Sequence, residues 1–332
     1  MTDYHRPIVQ HGQARPAEAL PLAGGPLWFT HVEILSRDTA PRVSHVGELP
    51  DVTRARLSDA RAPIAGLKMD EPHIMGILNA TPDSFSDGGR HATVEAARAA
   101  ARQMVAHGAR ILDVGGESTR PGADFVPAEV EIERTAPIIS AIASESDTLI
   151  SIDTRKAQVA AAALDAGAGM VNDVSGFTFD ADLAPLSAAR GVPVCVMHAQ
   201  GDPETMQDDP HYENVLLDVF DFLKDRIDHL ETTGIPRAQI VADTGIGFGK
   251  TLEHNLALLR NIGLFQDLGV PILLGASRKR FIGTIAQEPR ADARAPGSIA
   301  VALAALAQGV QIIRVHDVAE TAQALRLWSA VR

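Results

Sequence analysis

Cysteine is almost missing from this sequence: Cys195 stands alone among 332 residues. One cysteine excludes an intramolecular disulfide framework and any zinc site built on several thiolates. Aromatics are scarce too, at 4%. There is no run of Lys and Arg, and the net charge is -12 with a pI near 5.4. An acidic chain without a basic stretch argues against nucleic acid as a partner. Any anionic ligand must therefore be met by cations gathered locally. No apolar run approaches the roughly 20 residues that cross a bilayer, so no membrane association is expected. The N-terminus lacks a basic region followed by a continuous apolar segment, which argues against a secretory signal. The expectation is a cytoplasmic protein.

What is present is ordinary globular composition, 45% hydrophobic and 22% charged. The chain divides in two. Residues 1–72 are broken by Pro7, Pro16, Pro21, Pro26, Pro41, Pro50 and Pro63 into short pieces. A strand over 27–35, a partner over 43–46 and a short helix over 53–61 are predicted there. This N-terminal extension carries no motif that assigns it a role. From His73 onward, apolar strands alternate with helical stretches rich in Ala and Leu. Strands are predicted at 74–79, 111–115, 149–153, 170–174, 192–198, 240–243, 271–276 and 311–315. Helices are predicted near 93–107, 127–143, 156–166, 181–190, 213–233, 252–262, 297–308 and 318–330. Eight such units over 73–332 fit a (β/α)8 barrel, although alternation alone also fits an open doubly wound sheet.

The strand ends favour the barrel. The stretch HIMGILNATPDSFSDGG, 73–89, runs from an apolar strand to Asn79. A loop follows with Thr81, Asp83, Ser84, Ser86 and Asp87 around one aromatic, Phe85. Such a loop suits gripping a ligand, or else is a solvated turn that caps the next helix. The later strands end at Gly115 to Gly122 (GGESTRPG), Asp153, Asn172-Asp173, Met197-His198, Asp243, Ser277-Arg278-Lys279 and Arg314 with His316-Asp317. A barrel brings eight polar ends to one face, whereas an open sheet strings them along an edge.

Individually these residues admit more than one role. Asp153 and Asp243 could be a general acid and base, helix N-caps, or acceptors for two adjacent N–H donors on a flat heterocycle. GIGFGK, 245–250, has neither the P-loop spacing nor the dinucleotide fingerprint. Arg120, Arg278, Lys279, Arg314 and His316 would form an anion pocket if gathered on one face. Asn79, Asp87, Arg314 and His316 around a phosphate-type group suggest Mg²⁺ shared with the ligand. His198 reads as a polar strand-end residue rather than a metal ligand. No Ser-His-Asp or Cys-His arrangement points to covalent catalysis.

Taken together, IMGILNATPDSFSDGG, ILDVGGESTRPGA, ISIDTRK, VNDVSG, VMHAQGDPETMQ, DTGIGFGK, GASRK and IRVHDV resemble the ordered motifs of the dihydropteroate synthases, over about 73–332. The resemblance implies a TIM barrel. It implies condensation of 6-hydroxymethyl-7,8-dihydropterin pyrophosphate with p-aminobenzoate, giving 7,8-dihydropteroate and pyrophosphate for folate synthesis, with sulfonamides competing for the p-aminobenzoate site. Carried over by position, Asp153, Asn172, Asp243 and Lys279 would bind the pterin, with Met197 and Phe248 packing near it. Asn79, Arg314 and His316 would hold the pyrophosphate, Asn79 together with Mg²⁺. Loops carrying Phe85, Asp87, Thr119, Arg120 and Pro121 would close over the site and, with Ser277, form the p-aminobenzoate pocket. Asp153, Arg120, Asp87 and Lys279 would be the catalytic set in an SN1-like reaction. The resemblance also implies a homodimer packed through late helices. One departure is Thr244, where the family usually has Pro. The competing assignments are a methyltransferase barrel that binds a pterin and a non-catalytic pterin-binding module. The first would not need the pyrophosphate groups; the second would be expected to lack Asn79, Arg120, Lys279, Arg314 or His316, and all are present.

Overall fold

The computed structural model describes residues 3–80, 89–118, 123–201 and 205–331. The extension folds into β1 (Tyr4–Pro7), β2 (Leu20–Pro21), β3 (Trp28–Phe29), β4 (His31–Leu35), β5 (Arg42–His45) and α1 (Asp51–Ser58). The strand predicted over 27–35 is two strands in different sheets. β3 pairs with β2, while β4 lies between β1 and β5. The chain changes sheets at Thr30, whose carbonyl accepts from Val46 N. Leu22, Leu27, Phe29, Val32, Ile34, Val46, Leu49 and Leu57 form a core of the extension's own. Polar contacts fasten it to the rest of the chain. Asp267 accepts from His5 N at 3.0 Å and from Arg56 Nε at 2.7 Å. The Tyr4 hydroxyl donates to Asp221 at 2.9 Å.

Beyond the extension the alternation predicted from sequence is realised. The strands are β6 (His73–Asn79), β7 (Ala109–Gly115), β8 (Leu149–Asp153), β9 (Met170–Asp173), β10 (Val194–Met197), β11 (Ile240–Asp243), β12 (Ile272–Leu274) and β13 (Ile312–Val315). All pair in parallel, and β13 closes onto β6. The helices between and after them are α2 (Gly89–His107), α3 (Ala128–Ala143), α4 (Ala157–Asp165), α5 (Leu183–Arg190), α6 (Val215–Thr233), α7 (Leu252–Arg260), α8 (Arg280–Ala286), α9 (Ala295–Leu306) and α10 (Val318–Val331). The fold is a (β/α)8 TIM barrel. α8 was not foreseen, and the helix predicted over 252–262 stops at Arg260, followed by a 3-10 segment, Ile262–Leu268.

The period of two along each strand sorts the barrel interior into layers. Met75, Ile111, Leu149, Met170, Cys195, Val241, Leu273 and Ile312 supply one apolar side chain per strand, joined by Ile64 and Met69 from the segment before β6. These residues seal the barrel floor. Two residues further along each strand, on the same face, stand Ile77, Asp113, Ser151, Asn172, Met197, Asp243, Gly275 and Arg314. The layer above the floor is therefore largely polar. A closed barrel whose interior changes from oil to charge within two residues is a cup that opens at the strands' carboxyl ends.

Candidate active site

Arg314 organises the centre of the cup. Its Nε donates to Asp113 Oδ2 at 2.6 Å and its Nη2 to Asp153 Oδ2 at 2.7 Å. Burial alone would lower the guanidinium's pKa, but the two carboxylates hold it above its ordinary value. Asp153 is pushed up by burial, against the pull of Arg314. Its Oδ1 is buried and has no hydrogen-bond partner among the described residues. A buried carboxylate oxygen left without a donor is costly, and a ligand N–H aimed at it removes the cost. Asn172 stands next to this pair, its Nδ2 3.2 Å from Asp113 Oδ2. Asp113 is fully buried. It lay outside the strand-end signals because it sits within β7. The sign that could have found it is an acid flanked by Leu112 and Val114, since a buried acid must be paired.

Asp243 and Lys279 form the opposite wall. Burial raises the Asp243 carboxyl, and nearby Lys279 opposes the shift. Burial brings the Lys279 ammonium down to about 8, against the attraction of Asp243. The ammonium donates to the Ile246 carbonyl and lies 4.4 Å from the centroid of the Phe248 ring. Met197 pairs in register with Asp243 and is buried.

The loop that carries Phe248 is built around Lys250. Its Nζ donates to the carbonyls of Gly245 and Phe248, both at 2.9 Å, and lies 2.8 Å from His198 Nδ1. Lys250 is thus a buried hub of the GIGFGK turn. Gly245 has φ +65°, and a Cβ there would lie 1.8 Å from the His198 carbonyl oxygen, so no other residue fits. Asp243 Oδ1 accepts from Gly245 N at 2.8 Å and closes the same turn. His198 is occupied by this packing, as its reading as a polar strand-end residue implied. The Thr244 hydroxyl is buried without a hydrogen-bond partner among the described residues. Asp243 stays in place beside it.

At the rim, Ser277 Oγ lies 3.0 Å from His316 Nδ1 and accepts from His316 N at 3.2 Å. Arg278, one of the basic groups expected in an anion pocket, ion-pairs instead with Asp317. Its Nε donates to Asp317 Oδ2 at 3.0 Å. Arg278 has φ 60°, held by Ser298 Oγ, which accepts from its N–H at 2.9 Å. Asn79 ends β6, half-buried, in register with Gly115. Phe85, Asp87, Thr119, Arg120 and Pro121 lie outside the described residues.

Sequence reasoning also missed a buried charge cluster beside the site. Glu117 Oε2 meets Arg155 Nε at 3.1 Å and Lys156 Nζ at 2.9 Å. Lys156 Nζ also reaches Glu131 at 2.6 Å. Glu117 Oε1 accepts from Val126 N at 3.0 Å, so one carboxylate joins both sides of the β7–α3 connection to the end of β8. Among the described residues, no group of three or more His, Cys, Asp or Glu side chains could hold a metal ion.

Comparison with known proteins gives the family and the fold. The pterin binding enzyme family matches residues 75–316. The dihydropteroate synthase of Synechocystis sp. is 45% identical over 259 residues, 78% of this chain and 90% of that one. Among solved structures, the Xanthomonas albilineans dihydropteroate synthase with 4-aminobenzoic acid superposes with a TM-score of 0.77 at 44% identity, covering 82% of this chain and 97% of that one. The same enzyme in complex with 7,8-dihydropteroate gives a TM-score of 0.74 at 41% identity, covering 82% of this chain and 98% of that one. On this evidence the chain belongs to the pterin-binding enzymes and, among them, to the dihydropteroate synthases, transferases of folate biosynthesis.

Proposed function

We propose that the cup condenses 6-hydroxymethyl-7,8-dihydropterin pyrophosphate with p-aminobenzoate by an SN1-like course. The observation that carries this reading is the set of Asp153, Asn172, Asp243, Lys279 and Arg314 above one apolar floor, with a buried Asp153 oxygen that has no hydrogen-bond partner among the described residues. The amino-pyrimidine edge of a pterin offers adjacent N–H donors. Asp243 takes that edge, with Lys279 and the Asn172 amide meeting the ring's acceptors. Met197 and Phe248 pack near the ring. Asp153 faces the carbon that becomes cationic. Arg314 and His316 hold the pyrophosphate.

In the first step the bond between the pterin methylene and the pyrophosphate oxygen breaks, and its electron pair leaves with the anion. Arg314 and His316 stabilise the charge that develops there. The carboxylate of Asp153 stabilises the pterin-methylene cation. The lone pair of the p-aminobenzoate amine then attacks that carbon, and the nitrogen loses a proton. Thr119, Pro121, Phe85 and Ser277 form the p-aminobenzoate pocket. The resemblance also assigns catalytic roles to Asp87 and Arg120, which would keep water from the cation.

The donor set suits Mg²⁺ shared with the substrate. Asn79 offers one neutral oxygen at a strand end, and Mg²⁺ characteristically combines one or two protein oxygens with phosphate oxygens and water. Bound there, the ion would neutralise charge on the leaving group. The protein works in the cytoplasm as a homodimer packed through α9 and α10, where Leu327 and Val331 are exposed apolar side chains.

The deciding experiment measures pyrophosphate release from the pterin pyrophosphate with Mg²⁺, with and without p-aminobenzoate, for wild type and Lys279→Ala. Release that needs p-aminobenzoate, yields dihydropteroate and is lost in the variant supports the reading. Pterin binding without turnover overturns it in favour of a binding module.

A further inference from the structure

Asp113 touches none of the reacting atoms in the course described, yet it is the fully buried acid at the centre of the cup. A carboxylate with no access to water is retained only where it is paired on both oxygens. Its partners come from two different strands, each with a different task. Arg314 Nε donates to its Oδ2 at 2.6 Å. Asn172 Nδ2 sits between its oxygens, at 3.2 and 3.4 Å. The same guanidinium reaches up to Asp153 through Nη2, at 2.7 Å. Arg314 therefore hangs between a carboxylate below, Asp113, and a carboxylate at the reacting carbon, Asp153.

We propose that Asp113 is a positioning residue that supports Asn172 and Arg314 from beneath, so that the ring half and the anion half of the substrate are bound through one shared group. The inference rests on the proposed function, which gives Asn172 to the pterin and Arg314 to the pyrophosphate. It has a mechanical consequence. An anion above Arg314 draws Nη2 away from Asp153, while the Nε bond to Asp113 serves as the pivot. Asp153 is then free to face the pterin. Pyrophosphate thereby strengthens pterin binding, and by linkage the pterin strengthens pyrophosphate binding by the same factor.

The test uses the full chain with two half-ligands, 6-hydroxymethyl-7,8-dihydropterin and inorganic pyrophosphate with Mg²⁺. Each is titrated calorimetrically, alone and with the other saturating, on wild type and on Asp113→Asn, which keeps the side chain's shape. In wild type, saturating pyrophosphate should tighten dihydropterin binding about fivefold or more. In Asp113→Asn both half-ligands should weaken about tenfold, and the mutual enhancement should vanish. Loss for one half-ligand only, or for neither, overturns the proposal. So does a variant with a lowered thermal midpoint whose folded fraction binds both half-ligands normally, which is the behaviour of a merely structural residue. If Asp113→Asn does not fold, the wild-type titrations still decide, because dihydropterin affinity indifferent to pyrophosphate overturns the shared support. Wild type that binds neither half-ligand fails differently: it removes the functional reading on which the inference stands.

Discussion

Lys250 Nζ lies 2.8 Å from His198 Nδ1, a buried lysine nitrogen against a buried imidazole. Lys250 Nζ also donates to the carbonyl oxygens of Gly245 and Phe248 and lies 3.4 Å from that of His198, and burial holds its pKa well below the ordinary lysine value. Burial, reinforced by the Lys250 charge, brings the His198 pKa down to about 2.

That relationship sets an acid limit on stability. The folded-state pKa of His198 lies below the unfolded value of about 6.5, so its contribution is complete above that pH. It is lost progressively as pH falls from about 6.5 toward about 2, because the unfolded chain takes the proton and the folded one does not. Urea midpoints measured from pH 7 to 4 should fall faster for wild type than for His198→Gln, whose side-chain oxygen can still accept from Lys250. Parallel curves would show that His198 titrates alike in both states.

Lys279 sets an alkaline limit on activity. Its ammonium is brought down to about 8 by burial. It is a cation below that pH and neutral above it, so kcat/KM for the pterin substrate should decline as pH rises through about 8. Lys279→Arg, which keeps its charge, should move that decline to higher pH. Lys279→Ala should lower kcat/KM by about tenfold to a hundredfold. An alkaline limb unmoved in Lys279→Arg would assign it to another group.

Asp267 fastens the extension to the barrel through His5 and Arg56, with its side chain buried. Removing the carboxylate leaves the buried His5 N–H without its acceptor while the half-exposed Arg56 turns to water, so Asp267→Ala should cost about 1 to 3 kcal/mol in chemical denaturation. The site is built on the barrel's opposite end, so kcat of the folded variant should match wild type. A fall in kcat would tie the extension to catalysis.

Met69 closes the barrel floor from outside the strands and is almost fully buried. Met69→Ala should lower stability by about 2 to 5 kcal/mol. A loss below about 0.5 kcal/mol would mean that the floor collapses onto the cavity or does not depend on this plug.

Much of this architecture was legible along the chain. Strands 74–79, 149–153 and 240–243 stand within a residue of where the apolar runs placed them. Strands buried on both faces read as unbroken apolar segments, and their ends are marked by polar residues. The extension was less legible. β1 contains His5, Arg6 and Pro7 and carries no strand signal of its own; it is a strand because β4 pairs with it. α8 follows Lys279 at once, with no apolar period long enough to announce it.

The candidate site divides along the same line. Asp153 and Asp243, which end their strands, and Arg314, one residue short of the end of β13, could be named because a strand's carboxyl end is where a barrel places chemistry. Asp113 could not, because it lies inside its strand. Arg278 could not be separated from Lys279 by sequence, yet its left-handed backbone turns it to Asp317.

By itself the sequence determined the alternation of strand and helix, the polar ends and the family, because each is written in local spacing or in contiguous motifs. Only the tertiary structure decided which polar groups meet. Asp113 and Arg314 are 201 residues apart, and Asp153 and Arg314 are 161 apart. Their contact depends on the register with which β13 closes onto β6. A shift of one residue along any strand would turn its side chains out of the cup. That register is fixed by the packing of all eight strands together, and no single segment encodes it.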